Sequence, residues 1–273
     1  MGRSALFFFA AFAVSAVAPA HAVESPWVAG AQADARLLAD HAANAPIRAG
    51  VDIKLRPGWK TYWRYPGDAG VPPRFDWSGS ENLAEAAVKW PAPERFVDES
   101  GSQSIGYHGE IVFPVIVRPV DAARPVRLKL KLDFAVCEKL CVPAEADLAL
   151  DIPAGHDTPL DLIDRAERRV PRRAALGENV GGLAVTGAKL EGGATPRALV
   201  EASAPAGAID LFAEGPDDRW ALPLPEKVES NDGRRRFRLA IDGAPPNGPS
   251  VPAKLVLTLV AEGAAIEVEA PLD

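Results

Sequence analysis

The sequence has few of the residues that most often carry metal or covalent chemistry. It contains two cysteines, four histidines and a single methionine, Met1. His41, His108 and His156 are the histidines beyond the first segment, and none lies next to the cysteines in sequence. A copper or zinc site would therefore need both thiolates and a distant histidine. We expect neither a metal nor another cofactor. No Gly-x-Ser-x-Gly motif is present, which argues against a hydrolase of that type.

Positive charge and long apolar runs are also scarce. The net charge is −7 with an isoelectric point near 5.3, and no basic run is interleaved with aromatic residues. The long-range field would repel nucleic acid and acidic lipid, so we expect no nucleic-acid partner. Beyond the first segment, no stretch approaches the ~20 apolar residues that a membrane-spanning helix needs.

The first 22 residues are typical of a secretory signal peptide. Arg3 precedes an apolar stretch at residues 5–18, and Ala20-His21-Ala22 forms a small-residue cleavage site. We expect cleavage before Val23 and export to the periplasm, where disulfides form and persist. An uncleaved anchor is the alternative interpretation.

Proline and glycine are abundant and indicate a β-rich chain. The 26 prolines and 23 glycines exceed average usage, as expected for many short strands joined by turns. The 48% hydrophobic content is sufficient for a proper core in one large or two ordinary domains. The composition therefore predicts an all-β fold.

Residues 127–150 place the two cysteines between two alternating runs. The apolar positions from Leu128 to Val136 fall on one face of an extended segment, and a second alternating run ends at Leu150. This pattern predicts a hairpin with Cys137 and Cys141 at its turn. Because residues 138–140 include no glycine, a helical or irregular turn is favoured over a regular three-residue hairpin loop.

A disulfide between these cysteines would stabilise the fold only modestly. Closing a loop of about five residues contributes only ~2 kcal/mol in the chain-entropy model. The same pair could cycle between dithiol and disulfide without unfolding the protein. Spacing alone leaves three roles open: redox exchange, a structural disulfide or metal binding.

Three segments before the cysteines are also informative. Residues 59–65 hold four aromatic side chains, a density found both in packed cores and at binding faces. Residues 97–109 are polar and contain glycine, which predicts a functional loop. Residues 111–117 read as a strand, and Pro114 predicts that this strand lies at a sheet edge or carries a bulge.

The chain changes character after Leu150. Thr158 and Pro159 predict the start of a short helix, which ends before Pro171. Seven short alternating segments follow Leu183, including one at residues 220–224, and they predict a second, smaller β-sandwich. The expected organisation is a signal peptide (1–22), a first sandwich domain (23–155), a helical linker (156–178) and a second sandwich domain (179–273).

Three stretches together resemble the periplasmic N-terminal domain of DsbD-type thiol:disulfide interchange proteins, in particular the branch with ScsB-like reductases. They are residues 58–64 (GWKTYWR), residues 101–109 leading to Pro114, and residues 136–144 (VCEKLCVPA). The resemblance implies an immunoglobulin-like β-sandwich with a redox cysteine hairpin. It also implies a membrane-embedded DsbD/ScsB-like electron donor and periplasmic thioredoxin-fold substrates, including those of cytochrome c assembly. We expect that donor to be a separate protein.

The resemblance assigns roles to particular residues. It implies that Cys137 and Cys141 are the redox pair, with Cys141 forming the mixed disulfide. In well-known members an aromatic residue in a loop caps the oxidised pair, but the matching residues 98–102 contain none. A cap here would use Phe96, Tyr107 or backbone. The candidate partner-contacting residues are Tyr62, Trp63, Phe96 and Tyr107.

Two functions from different classes follow. The leading hypothesis is a periplasmic thiol-disulfide exchange protein that passes reducing equivalents through the Cys-x3-Cys pair. The alternative is a non-enzymatic binding module in which the aromatic cluster at residues 59–65 grips a partner and the disulfide is structural. Under the alternative, Cys141→Ser leaves partner binding intact and Trp63→Ala abolishes it.

Overall fold

The computed structural model describes residues 23–40, 46–154, 161–193, 195–228, 234–246 and 248–272. The predicted signal peptide and the predicted helix start at Thr158 and Pro159 lie outside these ranges, as do His41 and His156. Within the described ranges, no helix is both long enough and apolar enough to cross a membrane.

The first half of the chain forms two six-stranded antiparallel sheets. Its strands are β1 (Val23–Glu24), β2 (Val28–Ala29), β3 (Ala33–Asp40), β4 (Ile47–Leu55), β5 (Lys60–Gly67), β6 (Arg74–Asp76), β7 (Leu83–Val88), β8 (Glu94–Val97), β9 (Gln103–His108), β10 (Glu110–Pro119), β11 (Val126–Cys137) and β12 (Cys141–Ile152). The first sheet has the order β1-β3-β4-β10-β7, with β2 paired to β3. The cysteine sheet has the order β12-β11-β5-β9-β8, with β6 paired to β11.

The two sheets enclose one core, which makes this half an immunoglobulin-like β-sandwich. The alternating apolar residues of β11 all point inward, where Leu128, Leu132 and Val136 are completely buried. On the opposite face of the strand, Arg127 and Lys129 are exposed. The predicted all-β fold and the predicted cysteine hairpin are confirmed, because the period-two pattern that encodes a one-sided strand also determines which face is buried.

The second half adds one helix and eight strands to the described residues. They are α1 (Asp161–Arg168), β13 (Arg172–Ala174), β14 (Ala184–Glu191), β15 (Arg197–Ser203), β16 (Ile209–Glu214), β17 (Glu226–Val228), β18 (Arg235–Ala240), β19 (Lys254–Ala261) and β20 (Ala264–Pro271). The strands form two four-stranded sheets, β13-β20-β19-β16 and β14-β15-β18-β17, around a separate core. A second, smaller β-sandwich therefore follows the first, as predicted.

The strand predicted at residues 220–224 is wrong. This segment is extended, and Trp220, Leu222 and Leu224 are buried in alternation with more exposed neighbours, but it joins no sheet. Pro223 and Pro225 have no N–H to donate to a ladder. The burial pattern of a strand is present here without the hydrogen bonds of a strand.

The helix α1 packs on the outer face of the first sheet. Ile163 and Ala166 are buried against Leu38 of β3 and Val112 of β10. Beyond the helix, β13 lies inside the predicted linker range, yet it pairs in parallel with β20 of the second sandwich. The domain boundaries given above stay predictions.

Of the two alternatives predicted from Pro114, the edge position is wrong, because β10 lies inside the first sheet between β4 and β7. The strand does carry a register irregularity, but it lies between Arg118 and Pro119 rather than at Pro114. The Pro114 carbonyl accepts a hydrogen bond from Lys89 N, so the proline nitrogen faces the same side as that contact. The β7 ladder has already ended at Val88. The nitrogen of Pro114, which has no hydrogen, therefore lies just beyond the end of β7, and the β7–β10 ladder loses no hydrogen bond there.

Asp52 of β4 is a completely buried carboxylate on the outer face of the first sheet. Its Oδ2 accepts a hydrogen bond from Arg36 Nε at 2.9 Å, and Oδ1 has no hydrogen-bond partner among the described residues. Burial raises the pKa of Asp52 from 3.8 to about 6, and Arg36 opposes the shift. Folding therefore favours the protonated form.

This raised pKa predicts a pH-dependent effect of Asp52→Asn. The contribution of Asp52 to stability is fully present below 3.8 and is lost as the pH rises through about 6. A shift of two units corresponds to about 3 kcal/mol at most, and the variant loses the ion pair with Arg36. We expect the variant to gain about 1–2 kcal/mol in free energy of unfolding at pH 7.5 and much less at pH 4.5. Urea unfolding at both pH values measures this, and equal effects would contradict the raised pKa.

Candidate redox site

The site is built at the closed end of the β11–β12 hairpin. Cys137 ends β11, Cys141 begins β12, and the two face each other in the strand register. A disulfide joins them, with their Cα atoms 4.1 Å apart. Residues 138–140 form an irregular turn of bends. The strand pairing thus continues to the cysteines themselves, and the pair sits on a rigid support rather than in a loop.

The two cysteines differ in exposure. Cys137 is only 7% exposed, whereas Cys141 is an exposed residue. The turn between them also exposes an apolar side chain, since Leu140 is 77% exposed. An incoming sulfur atom from another protein therefore has access to Cys141 and little access to Cys137.

Strand β5 covers the other side of Cys137. Lys60 faces Cys137 and Thr61 faces Val136 in the β5–β11 register. The Thr61 hydroxyl donates a buried hydrogen bond of 2.9 Å to the Ala135 carbonyl oxygen. This pairing brings the next residue, Tyr62, against Ala135 and Cys137 in a small buried cluster on the outer face of the cysteine sheet.

Tyr62 contacts the disulfide directly. Its hydroxyl oxygen lies 3.0 Å from Cys141 Sγ. A disulfide sulfur has no hydrogen, so the tyrosine is the donor of this hydrogen bond. Tyr62 is 1% exposed, and burial raises its pKa. The hydroxyl therefore keeps its proton at neutral pH and remains a donor.

Two glycines give Tyr62 the space it occupies. A Cβ on Gly70 would lie 2.3 Å from Tyr62 Cε1, so only a glycine lets the backbone of residues 68–71 rest on the ring. A Cβ on Gly106, which faces Tyr62 from β9, would lie only 1.9 Å from the Thr61 carbonyl oxygen. The cover over the tyrosine is therefore backbone.

Lys60 lies on the flank of the site. Its Nζ donates a hydrogen bond of 2.8 Å to Ser104 Oγ and lies 5.2 Å from the centroid of the Phe96 ring. Burial lowers the pKa of Lys60, and the negative charge of Asp98 opposes this effect. The Lys60 backbone thus lies opposite Cys137, while its ammonium group is directed toward Ser104 and Phe96.

The predicted functional loop at residues 97–109 is shorter than expected. Only residues 98–102 form a turn, because β9 starts at Gln103 and pairs with β5 and β8. Asp98 organises this turn by accepting hydrogen bonds from the Ser100 and Ser102 backbone N–H groups. Hydrogen bonds from the Ser100 side chain and backbone hold the pKa of Asp98 below its usual value.

The predicted partner-contacting residues fall into different environments. Tyr62 touches Cys141, and Phe96 is half-buried beside Lys60. Trp63 is completely buried with its ring centroid 5.9 Å from that of Phe212, and Tyr107 is buried with its hydroxyl donating to the Pro91 carbonyl. Tyr62, Trp63 and Tyr107 are each at most 1% exposed and present no surface to a partner in this structure. Of the four residues, Phe96 alone is partly exposed.

The sequence interpretation missed the residues that hold Tyr62 in place. Gly70 and Gly106 follow no motif that marks them, and the available signal is that residues 67–70 (GDAG) contain two glycines directly after the aromatic residues. Arg95, which contacts Asp210 of the second half, belongs to no sequence motif that marks it. For metals, no cluster of three or more histidine, cysteine or acidic residues that could hold an ion occurs in the described part of the chain.

Comparisons with known proteins identify a family for part of the chain and a solved structure with a similar fold. Residues 27–153 match the family described as "Thiol:disulfide interchange protein DsbD, N-terminal". The fold is similar to the crystal structure of the N-terminal periplasmic domain of ScsB from Proteus mirabilis, with a TM-score of 0.69 and 20% sequence identity. That similarity covers 92% of this chain and 99% of the ScsB chain, so it includes the second half. A comparison with curated proteins finds no match. Residues 27–153 are therefore a DsbD-type N-terminal domain of the thiol:disulfide interchange family, and the Cys137–Cys141 disulfide lies within it.

Proposed function

We propose that this protein exchanges disulfides with thioredoxin-fold proteins through Cys137 and Cys141. The observation that carries the proposal is the asymmetry of the pair: Cys141 is exposed and accepts a hydrogen bond from Tyr62, whereas Cys137 is buried behind it. Such an arrangement offers one sulfur to a partner and keeps the other as the resolving thiol.

The proposed exchange proceeds in two steps from the reduced pair. The Cys141 thiolate attacks one sulfur of the partner's disulfide, and the partner's other sulfur leaves as a thiolate that takes up a proton. Cys137, as a thiolate, then attacks Cys141 Sγ and releases the partner's first sulfur. The domain loses two electrons and two protons as its dithiol becomes a disulfide, and the partner's disulfide becomes a dithiol. A dithiol of a membrane reductase restores the pair by the reverse steps.

Tyr62 would stabilise the thiolate form of Cys141. A hydrogen bond to a charged group contributes about 1.5–3 kcal/mol, more than a hydrogen bond to a neutral disulfide sulfur. Losing it would reduce the thiolate population about tenfold or more. Part of this loss is offset, because a more basic thiolate is a better nucleophile. Tyr62→Phe should therefore slow thiol reactions at pH 7 by about three- to tenfold.

The proposed partners and location follow from the family. We propose that a membrane-embedded DsbD/ScsB-like reductase supplies the electrons and that periplasmic thioredoxin-fold proteins receive them. The predicted signal peptide and the description of the ScsB domain as periplasmic support a periplasmic location. Among the uses of such a relay, we propose a role in cytochrome c assembly.

The reduction potential of the pair tests the proposed function. We expect a value above about −300 mV, because structural disulfides usually lie below that value. We also expect the reduced protein to reduce an oxidised periplasmic thioredoxin-fold protein, with the redox state of both partners followed by gel shift after thiol alkylation. A potential well below about −300 mV together with no exchange would leave only a structural disulfide, as in the binding-module alternative. The burial of Trp63 already weakens that alternative, since the aromatic cluster is not an open face.

A further inference from the structure

The second sandwich contacts both segments that surround Tyr62. After Tyr62, four residues of β5 (63–66) stand opposite the single residue Ile105 of β9, because the register jumps from the Tyr62–Gly106 pair to the Gly67–Ser104 pair. Arg64, within this bulge, forms ion pairs with Glu214 at 2.7 Å and with Glu267 at 2.5 Å. The Tyr65 hydroxyl donates to the Leu222 carbonyl. The side chains of Arg64 and Tyr65 thus tie the bulge that follows Tyr62 to the second half.

A second set of contacts reaches the cover over Tyr62. Arg95 of β8 makes two hydrogen bonds to the Asp210 carboxylate, at 2.8 and 2.9 Å, and a third to Gln103 Oε1 at 2.8 Å. The Gln103 backbone in turn exchanges hydrogen bonds with Asp68, donating to Asp68 Oδ2 and accepting from Asp68 N. Gly70, two residues further on, rests on the Tyr62 ring.

These contacts form an unbroken series from the second sandwich to the redox sulfur. It runs from Asp210 through Arg95, Gln103 and residues 68–70 to Tyr62, whose hydroxyl contacts Cys141 Sγ. The Arg95–Asp210 ion pair is partly buried, with the two side chains 18% and 22% exposed. Buried, bidentate arginine–carboxylate pairs define geometry more tightly than exposed ion pairs do.

We propose that the second sandwich is a positioning element of the redox site, in which Arg95 and Asp210 hold the backbone cover that aligns the Tyr62 hydroxyl with Cys141. The inference rests on the proposed redox use of the two cysteines. It gives the second half a task that needs no chemistry of its own. Arg95 and Asp210 act through Tyr62, and neither touches the sulfur atoms.

The test measures the reactivity of Cys141 in the full-length reduced protein. The rate of alkylation by iodoacetamide is recorded against pH, and peptide mass spectrometry assigns the reaction to Cys141 rather than Cys137. Tyr62→Phe provides the reference, with the midpoint of its pH profile expected to rise by about one unit. Arg95→Gln and Asp210→Asn should each raise the midpoint and slow alkylation at pH 7 by about threefold.

The two variants separate positioning from a simple electrostatic effect. Removing the positive charge of Arg95 would raise the midpoint through the electric field alone, but removing the negative charge of Asp210 would lower it. If the two residues act by positioning Tyr62, the midpoint of the pH profile rises in both the Arg95 and the Asp210 variant. Combined with Tyr62→Phe, either variant should add less than about 1.5-fold, because the hydroxyl that they align is already gone.

Arg48→Gln is the matched control. Arg48 also joins several carboxylates, Asp40, Asp164 and Glu167, but on the first sheet and away from Tyr62. The Arg48→Gln variant should leave the pH profile of alkylation unchanged.

Three results would overturn the proposal: midpoint shifts of opposite sign in the Arg95 and Asp210 variants, no shift in either variant, or full additivity with Tyr62→Phe. If Arg95→Gln fails to fold, Asp210→Asn alone decides between the two effects: a raised midpoint supports positioning, and a lowered midpoint supports a purely electrostatic effect. Alkylation needs no partner protein, so a failure of the proposed exchange function would be seen separately, in the partner assay.

Discussion

In a Cys137→Ser variant, Cys141 should capture thioredoxin-fold partners as stable mixed disulfides, whereas Cys141→Ser should capture about a hundredfold less. The first variant keeps the exposed sulfur and lacks the thiol that would resolve the intermediate. The second keeps only Cys137, which is 7% exposed and lies behind Tyr62 and Ala135. Non-reducing gels of periplasmic extract, probed for adducts of the added protein, measure the difference.

The two variants control for each other, since each leaves one thiol in a chain of the same charge and nearly the same volume. In 8 M urea, the two thiols should react with iodoacetamide at about the same rate, because the shielding of Cys137 depends on the fold. Equal capture by the folded variants, or stronger capture by Cys141→Ser, would contradict the proposed division of roles. No capture by either variant would favour the alternative in which the disulfide is structural.

Gly106→Ala should lower the free energy of unfolding by about 3 kcal/mol and disturb the redox site at the same time. The added methyl group would stand 1.9 Å from the Thr61 carbonyl oxygen and 3.0 Å from Tyr62 Cα, both of which are backbone atoms that cannot turn aside. Strands β5 and β9 would have to separate. Because Thr61 and Tyr62 connect β5 to the cysteine hairpin, the separation would also move the Tyr62 hydroxyl away from Cys141.

Gly187→Ala is the control for this prediction. Gly187 is also a strand glycine, in β14, and a Cβ there would meet no atom within 4 Å. We expect a change within about 0.5 kcal/mol, as for other substitutions that meet open space. Urea midpoints at unchanged slope measure both variants. A loss in Gly187→Ala as large as that in Gly106→Ala would show that the effect belongs to strand glycines in general rather than to the contact with Thr61.

Local pattern accounts for much of the fold that was predicted. The alternation from Leu128 to Val136 encodes both the strand and its buried face, and the cysteine hairpin follows from two such runs joined by three residues. Alternation of apolar residues does not predict the structure where the outcome depends on the neighbouring strands of the sheet. Pro114 is tolerated inside a sheet because of where β7 ends, and residues 220–224 have a strand's burial without a ladder. The end of β7 beside Pro114 and the missing ladder at residues 220–224 both depend on other parts of the chain, so the local sequence does not predict them.

The candidate site was predictable only in part, for a related reason. The cysteines are four residues apart and can be paired from spacing, but the Tyr62–Cys141 contact spans 79 positions and depends on the β5–β11 register. The aromatic cluster splits at that point: Tyr62 faces the disulfide, and Trp63 lies in the core between the sheets, where it also contacts Phe212 of the second half. Neighbouring strand residues point to opposite faces, and the β5–β11 register decides which of the two lies on the face of the cysteines.

The edge position of β12 bears on how the protein avoids associating with itself. This strand is twelve residues long and forms the outermost member of the cysteine sheet, next to the exposed Cys141. A long edge with free backbone groups is a template for adding the strand of another molecule. Here Glu145, Asp147 and Asp151 are exposed along β12, and Pro143 lacks a donor. Two copies brought edge to edge would place like charges together, so an open thiol site can exist beside an edge that resists aggregation.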